Sequence, residues 1–343
     1  MQNKITRSTP LLNNKGELLE SGYSTRPLLQ YQRSKIQANS LRIKEWDYYL
    51  IYNQDFALAL GIADNSYVGI DTVSFIDFRS SSKNTMNKIR MFPRGETNMP
   101  STSKIGDLSV VEKGYCIQFL NDGKERILHC QIDDFLEGEA LTASITLTDE
   151  PEESLALAVP FKEDRKAFYY SHKIIGLKAK GMVEIGQKRY VFNPDNSLAV
   201  FDWVRGVWPY HNTKYWGSAV GYVENHLIGF NLGNGSEDVS QATENMVLID
   251  GKLYKLDDVI FTVSDKEEKD SNLAKWIITD KEGRIQLEFT PLIEQEENLN
   301  LLVLSSNQHQ IFGYYNGYIL LKNDEKVVVK DFLGFVEKVV NKW

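Results

Sequence analysis

The chain has 343 residues, which predicts two domains because a domain commonly holds about 100–200 residues. Hydrophobic residues make up 42% of the chain and charged residues 25%, a balance that excludes disordered and collagenous proteins. The net charge of −8 would repel phosphate backbones, so a nucleic-acid partner is not expected.

The chain also carries few signals for metals, cofactors or membranes. Its 2 cysteines lack the paired spacing of a zinc site, and its 5 histidines never occur as H-x-H or H-x-x-x-H. Gly233-Asn234-Gly235 could cradle a phosphate, but the Lys-Ser/Thr of a P-loop is missing. Neither a signal peptide nor an apolar stretch of membrane-spanning length is visible. We therefore expect a cytoplasmic protein with no metal, no cofactor and no membrane span.

Turn signals predict short antiparallel strands along both halves of the chain. Asp122-Gly123 and Asp250-Gly251 each lie between two apolar-alternating runs, and Asp-Gly favours the type I′ turn of a β-hairpin. Gly186 and Asn323-Asp324 predict two further hairpins. These patterns indicate an all-β fold.

Other segments predict loops and one helix. The polar segment 80–104 predicts a long loop, and the acidic stretches 149–154 and 264–272 predict solvated loops. Near the C-terminus, Phe332, Phe335, Val336 and Val339 follow the spacing of an amphipathic helix.

The most economical architecture for these strands is two successive antiparallel β-barrels with few short helices. We place the N-terminal barrel domain at residues 1–205 and the C-terminal barrel domain at 206–343. Small barrels can hold one ligand in their mouth.

The most unusual segment is VFDWVRGVWPYHNTKYWGSAVG, residues 200–221, which contains three of the six tryptophans. One interpretation is a large aromatic core. The other is a binding site, which the presence of Asp202, Arg205 and His211 favours, because burying such groups unpaired costs several kcal/mol. Gly206 and Pro209 predict a bend here. In a continuous strand Trp203 would face away from Trp208 and Trp216, which could converge on one cavity.

A second polar cluster follows at residues 231–245. Asn231, Glu244 and Asn245 lie in or beside apparent strands. They are candidates for ligand contacts, or alternatively for hydrogen bonds that fix a loop.

Several of these segments resemble a known family. RPLLQYQRSKI, RIKEWDYYLI, FDWVRGVWPY, NLGNG and ATENMVLIDGKLYKL resemble the bacterial family known as domain of unknown function 2804, over nearly the whole chain. More distantly, YYSHKIIGLKAKGMVEIGQKRYVF and the tryptophan segment are similar to tandem lipocalin-like (calycin) proteins of the carotenoid 1,2-hydratase (hydroxyneurosporene synthase) type.

The distant resemblance implies lipocalin-like barrels with a catalytic acid at their junction. Tyr169, Tyr170 and Ser171 match its Tyr-Tyr-Ser element, and Asp202 aligns with its acid. The hydratases carry a W-x-D-x-E-W pattern, whereas this chain reads F-D-W-V-R-G, so the second acidic group is replaced.

We therefore predict that a hydrophobic or amphipathic small molecule binds at the junction of two barrels, with cofactor-independent hydratase, lyase or isomerase chemistry as one outcome. Asp202 would act as general acid or base, Arg205 would stabilise negative charge, and His211 would carry a second proton. The candidate ligand contacts are Trp203, Trp208, Tyr210, Trp216, Asn231, Glu244, Asn245 and Tyr170. The alternatives are a non-catalytic carrier of lipid-like molecules, and a structural or interaction protein in which the aromatic segment is an interface. If Asp202 and Arg205 have no catalytic role, they would instead form an ion pair that locks the two domains together.

Overall fold

The computed structural model describes residues 2–162, 164–264, 274–301 and 304–342, with side chains outside 295–305. These residues form 24 β-strands and two 3₁₀ helices, Arg33–Lys35 and Ser40–Arg42. The strands are β1 (Thr9–Pro10), β2 (Gly22–Ser24), β3 (Leu29–Gln30), β4 (Ile43–Tyr52), β5 (Phe56–Asp64), β6 (Val68–Asp77), β7 (Ser82–Met91), β8 (Leu108–Glu112), β9 (Tyr115–Asn121), β10 (Arg126–Leu136), β11 (Glu139–Thr148), β12 (Leu155–Phe161), β13 (Asp164–Ile185), β14 (Lys188–Phe192), β15 (Leu198–Val207), β16 (His211–Val223), β17 (His226–Gly235), β18 (Met246–Ile249), β19 (Lys252–Lys255), β20 (Ile260–Val263), β21 (Trp276–Thr279), β22 (Ile285–Leu301), β23 (Leu304–Leu320) and β24 (Lys326–Lys342).

The first large sheet has the order β7-β6-β5-β4-β15-β13-β11-β10-β9-β8, with β2, β12 and β14 joined beside β13. It curls so that its two edge strands approach, and Lys88 of β7 lies 2.6 Å from Glu112 of β8. Its concave face is filled by buried apolar side chains, and the rings of Tyr49 and Phe201 stack there at 4.2 Å. The curled sheet therefore encloses a core of its own.

The second sheet has the order β19-β18-β17-β16-β24-β23-β22-β21-β20 and is antiparallel throughout its described pairs. Its interior is also apolar, with the rings of Phe230 and Phe289 packed on Tyr315 at 4.9 and 4.8 Å. The chain passes from the first sheet to the second between Val207 and His211.

The two sheets pack against each other through their outer faces. A third apolar cluster forms there, including Leu50 and Val200 from the first sheet and Trp216 and Phe335 from the second. The Tyr52 hydroxyl donates to the Val220 carbonyl oxygen at 3.1 Å and accepts from the Val220 amide at 2.7 Å. Apolar burial and paired polar groups thus hold the sheets together.

The all-β class with two tandem antiparallel barrels and few short helices is confirmed. All four predicted hairpins are present, since strands end and begin on either side of each turn. Asp250 and Gly251 have φ values of 48° and 81°, as a type I′ turn requires.

The prediction of a C-terminal helix is wrong, because the segment belongs to β24. Both faces of this strand are buried: Phe332 and Val336 face the second barrel's core, whereas Leu333 and Phe335 face the first sheet. A strand buried on both faces carries apolar residues at successive positions, which imitates helical spacing.

The loop predicted at residues 80–104 is wrong for its first half, where β7 forms. Both faces of β7 carry mostly polar side chains, so its sequence lacks the apolar alternation of a half-buried strand. The acidic stretch 149–154 connects β11 to β12 as predicted. Apart from Ser264, the stretch 264–272 lies outside the described residues. Across the described ranges, no helix is long and apolar enough to cross a bilayer.

Candidate functional site

A cavity of about 660 Å³ lies between the outer faces of the two sheets, beside the apolar cluster that joins them. One wall comes from the first sheet and the other from strands β16, β23 and β24 of the second. The volume lies in the range of pockets that bind drug-sized molecules.

Strand register brings the residues of the first wall to one face. Asp202 of β15 pairs with Lys173 of β13 on one side and with Tyr48 of β4 on the other. Paired residues share a face, so all three side chains point towards the second sheet. Trp46, two residues from Tyr48, lies on this face too, and its ring is 5.1 Å from that of Trp208.

Small side chains make room for the cavity. Ala59, Gly61 and Ala63 lie at alternate positions of β5 and line the cavity. A Cβ added at Gly61 would make ordinary contacts, at 3.5 Å from Tyr48 and 3.8 Å from Thr72. The space above this strand is therefore open to a larger side chain or to a ligand.

The second wall is a grid of three strands in register. Each row contains one residue from β16, one from β24 and one from β23. The rows are Asn212, Asn341 and Ser306; Lys214, Val339 and Gln308; and Trp216, Glu337 and Gln310. All nine residues line the cavity.

A buried ion pair lies at the centre of the first wall. Lys173 Nζ is 2.8 Å from Asp202 Oδ1, and the Trp46 indole donates to Asp202 Oδ2 at 3.1 Å. Asp202 and Lys173 are each 3% exposed. Lys173 Nζ also lies 4.0 Å from the centre of the Trp216 ring, so this cation touches an aromatic residue of the second sheet.

A second buried charge cluster adjoins this pair. Lys214 forms ion pairs with Glu237 and Glu244. Burial lowers the pKa of Lys214, but the two carboxylates outweigh it and raise that pKa above its usual value. Burial likewise raises the pKa of Glu244, yet Lys214 and Lys173 hold that pKa below its usual range. The fold therefore keeps these groups charged.

Tyr169 links the two charge clusters. Its hydroxyl donates to Glu244 Oε2 at 3.3 Å, and the side chain lines the cavity. Burial and the neighbouring charges of Glu244 and Asp202 raise the pKa of Tyr169 well above its usual value. Its hydroxyl is therefore protonated at neutral pH.

The structure brings together three residues that the sequence singled out: Asp202, Trp208 and Trp216 all line the cavity. Gly206 allows this arrangement, because an added Cβ would lie 2.7 Å from the Trp208 ring. Gly206 lies within β15, so the prediction that it breaks the strand is wrong. The bend falls at residues 208–210, around Pro209.

Trp203, Arg205 and Tyr170 are placed elsewhere, on the opposite face of the first sheet. Tyr170 donates its hydroxyl to the Leu29 carbonyl oxygen at 2.8 Å, and its ring packs against Trp203 at 5.3 Å. Both line a smaller pocket of about 340 Å³ at residues 27–32 and 101–103.

Asn231, Glu244 and Asn245 lie behind the second wall. The Asn231 side chain accepts a hydrogen bond from the Trp216 indole at 2.7 Å, and Asn245 accepts one from the Gly233 amide at 2.6 Å. Gly233 is needed here, since an added Cβ would lie 1.8 Å from Glu244. These residues position the wall.

Tyr210 and His211 are exposed, and their rings contact each other at 4.7 Å. Tyr210 lies in the connection between the sheets and His211 begins β16, and neither residue lines the cavity.

The alternative prediction of an Asp202–Arg205 ion pair is wrong. The two residues are three apart on β15 and so face opposite sides of the sheet. Arg205 is completely buried and pairs with Asp47 at 2.8 Å, and it also donates to the Pro100 carbonyl oxygen at 2.9 Å. Both residues form ion pairs within the first sheet, so neither locks the two sheets together.

Sequence reasoning missed Trp46, Tyr48, Tyr169, Lys173 and Lys214 as cavity residues. The alternation of W-D-Y in β4 could have placed Trp46 and Tyr48 on one face. Lys173 carried no signal, because an isolated lysine in a strand is usually solvated. Within the described part of the chain, no group of three His, Cys, Asp or Glu side chains could hold a metal ion.

Comparison with known families identifies the chain. A family model described as domain of unknown function (DUF2804) matches residues 2–343. The chain belongs to this family. The resemblance to DUF2804 inferred from the sequence segments is therefore confirmed. A search of curated proteins found no match.

Solved structures similar to this DUF2804 chain share little sequence with it. Kievitone hydratase from Nectria haematococca is 13% identical, with 100% of this chain and 97% of that chain covered and a TM-score of 0.47. A putative AttH from Nitrosomonas europaea is 12% identical, with 90% and 96% covered and a TM-score of 0.48. CghA bound to Sch210972 is 8% identical, with 88% of each chain covered and a TM-score of 0.41.

Proposed function

We propose that the cavity between the two sheets binds a hydrophobic or amphipathic small molecule. The observation that carries this proposal is the aromatic surround of a roomy cavity: Trp46, Trp208 and Trp216 line about 660 Å³ of space. Aromatic side chains supply large contact areas and prefer to be covered.

The charges at the cavity support the same proposal. Asp202 is paired with Lys173, and Lys214 is paired with Glu237. Binding of an apolar ligand would therefore not desolvate an unpaired charge. Pockets for small molecules typically combine apolar walls with few placed polar groups. In this cavity Trp46, Trp208 and the small residues of β5 supply the apolar part of the lining.

Ligand binding is expected to stabilise the fold and change indole fluorescence. At a hundredfold excess over its dissociation constant, a neutral apolar probe such as Nile red or 2-naphthol should add about 2.7 kcal/mol to the free energy of unfolding. Thermal shift and tryptophan emission measure both effects. Gly61→Leu, which places a side chain in the cavity, should weaken binding at least tenfold.

Thr142→Leu is the matched control, because Thr142 is an exposed strand residue of the same sheet. It should leave probe binding unchanged. Nucleotides and divalent metals should not stabilise the protein. If Gly61→Leu binds the probes as the wild type does, the cavity is not their site and the proposal fails.

A second candidate function is proton transfer to or from the bound molecule. It is favoured by the position of Asp202, Lys173 and Tyr169 on one face of the first wall, all lining the cavity. Asp202 could accept a proton from the bound molecule while the Lys173 ammonium stays beside it. The Tyr169 hydroxyl could donate a hydrogen bond to the bound molecule. No cofactor is required by such chemistry.

Asp202→Asn tests this second candidate without removing the cavity. With 2-acetylnaphthalene in deuterated buffer, the wild type should accelerate exchange of the methyl protons, followed by NMR, and the variant should lose about 100-fold or more of that rate. Binding affinity should change less than threefold. If the wild type and Asp202→Asn bind the ketone equally well and exchange its methyl protons at the same rate, the protein is a non-catalytic carrier.

A further inference from the structure

The second wall of the cavity is rich in neutral polar side chains. Ser306 donates to Asn341 Oδ1 at 2.8 Å, and Asn341 Nδ2 donates to Asn212 Oδ1 at 3.0 Å. Two rows away, Gln310 Nε2 donates to the Tyr48 hydroxyl at 3.2 Å, across the gap between the sheets. Amide and hydroxyl groups in this register can both donate and accept hydrogen bonds.

The facing wall continues this character towards β7. Thr72, Ser74, Thr85 and Asn87 line the cavity on β6 and β7. The Thr72 hydroxyl donates to Asn87 Oδ1 at 2.7 Å, and the hydroxyls of Ser74 and Thr85 are 2.7 Å apart. Neutral hydrogen-bonding groups therefore face each other from both sheets.

The charged groups of the cavity already have partners in the protein. Lys173 and Lys214 are paired with carboxylates, Asp47 is paired with Arg205, and Gln308 donates to Glu337. A charged ligand would have to give up its hydration for a site whose ions are engaged. A neutral polyol would exchange water for amide and hydroxyl partners.

We propose that the molecule bound here is a neutral amphipath with several hydroxyl groups, such as a hydroxylated ring system or a glycoside. Its apolar part would lie over Trp46, Trp208 and the small residues of β5, and its hydroxyls would meet the amides of β23 and β24. This rests on the proposed function, since it names the class of molecule for the same cavity.

Four probes that share one apolar body separate the possibilities. These are naphthalene, 2-naphthyl β-D-glucopyranoside, 2-naphthoate and 2-naphthylmethylammonium, with affinities measured by displacement of Nile red from the wild-type protein. The glucoside is expected to bind at least tenfold more tightly than either charged probe and more tightly than naphthalene. If the carboxylate or the ammonium probe binds as tightly as the glucoside, the inference is wrong.

Two variants locate the effect. Gln310→Leu and the isosteric Thr72→Val should each lower the affinity for the glucoside at least fivefold and leave the affinity for naphthalene unchanged. Gln118→Leu, on β9 away from the cavity, is the control for Gln310→Leu. Unchanged glucoside binding in both variants would also overturn the inference. If naphthalene binds and the glucoside gains nothing, the proposed function survives alone, whereas failure of every probe removes both.

Discussion

Replacing Arg205 with methionine is expected to lower the free energy of unfolding by about 3–5 kcal/mol. The guanidinium is completely buried, pairs with Asp47 at 2.8 Å and lies 3.8 Å from Glu45. Its removal leaves the buried Asp47 carboxylate without its cation, whereas Glu45 keeps its ion pair with Arg33. It also removes a hydrogen bond to the Pro100 carbonyl oxygen. Urea unfolding followed by far-ultraviolet circular dichroism would measure the loss.

The loss of unfolding free energy caused by Arg205→Met should become smaller as the pH falls. Burial already raises the pKa of Asp47 above its usual value, although Arg205 opposes this, so removing Arg205 raises the pKa further. A carboxyl whose pKa is higher in the folded than in the unfolded state favours folding more as the pH decreases. Arg189→Met, at a site 71% exposed, should change stability by about 0.5 kcal/mol or less. A similar small loss for Arg205→Met would contradict the buried pairing.

Acid is expected to destabilise the protein through His172, by about 2–3 kcal/mol between pH 7.5 and 4.5. Burial lowers the pKa of His172 from its usual 6.5 to about 3. Its two ring nitrogens lie 2.6 Å from the Ser103 hydroxyl and 2.7 Å from the Ser154 hydroxyl. Between these pKa values the unfolded chain binds the proton and the folded chain does not, so stability decreases as the pH falls below about 6.5.

The measurement is the difference in unfolding free energy between the wild type and His172→Gln. The wild type should be the more stable at pH 7.5, and this advantage should shrink on acidification because glutamine does not titrate. His226→Gln is the control, since Asp250 raises the pKa of the exposed His226 and the sign is opposite. A constant difference across this pH range would show that His172 does not titrate as described.

The sequence predicted the fold class because its turns are local signals. Asp122-Gly123 and Asp250-Gly251 define hairpins through the φ values of adjacent residues, and no distant contact is needed to find them. The wrong prediction of a C-terminal helix arises from a contact that is distant in sequence. Leu333 and Phe335 are apolar because the first sheet covers them, and no window of the β24 sequence contains this information.

The same distinction explains how much of the site could be predicted. Strand alternation separates Trp203 from Asp202 and is visible in the sequence. The partner of Arg205 is not, because Asp47 lies 158 residues away on β4. Asp202 was paired with the wrong basic residue for the same reason, since its cation Lys173 comes from another strand in the sheet.

The cavity is assembled from four separate parts of the chain, namely 46–89, 169–216, Glu237 and 306–341, which belong to both sheets. Neither sheet has an enclosed site until the other has docked, so a partly folded chain would hold no ligand. A bound molecule would therefore act on the last step of assembly, slowing separation of the sheets more than the unravelling of either one. Ligand binding would therefore report that the two sheets have docked.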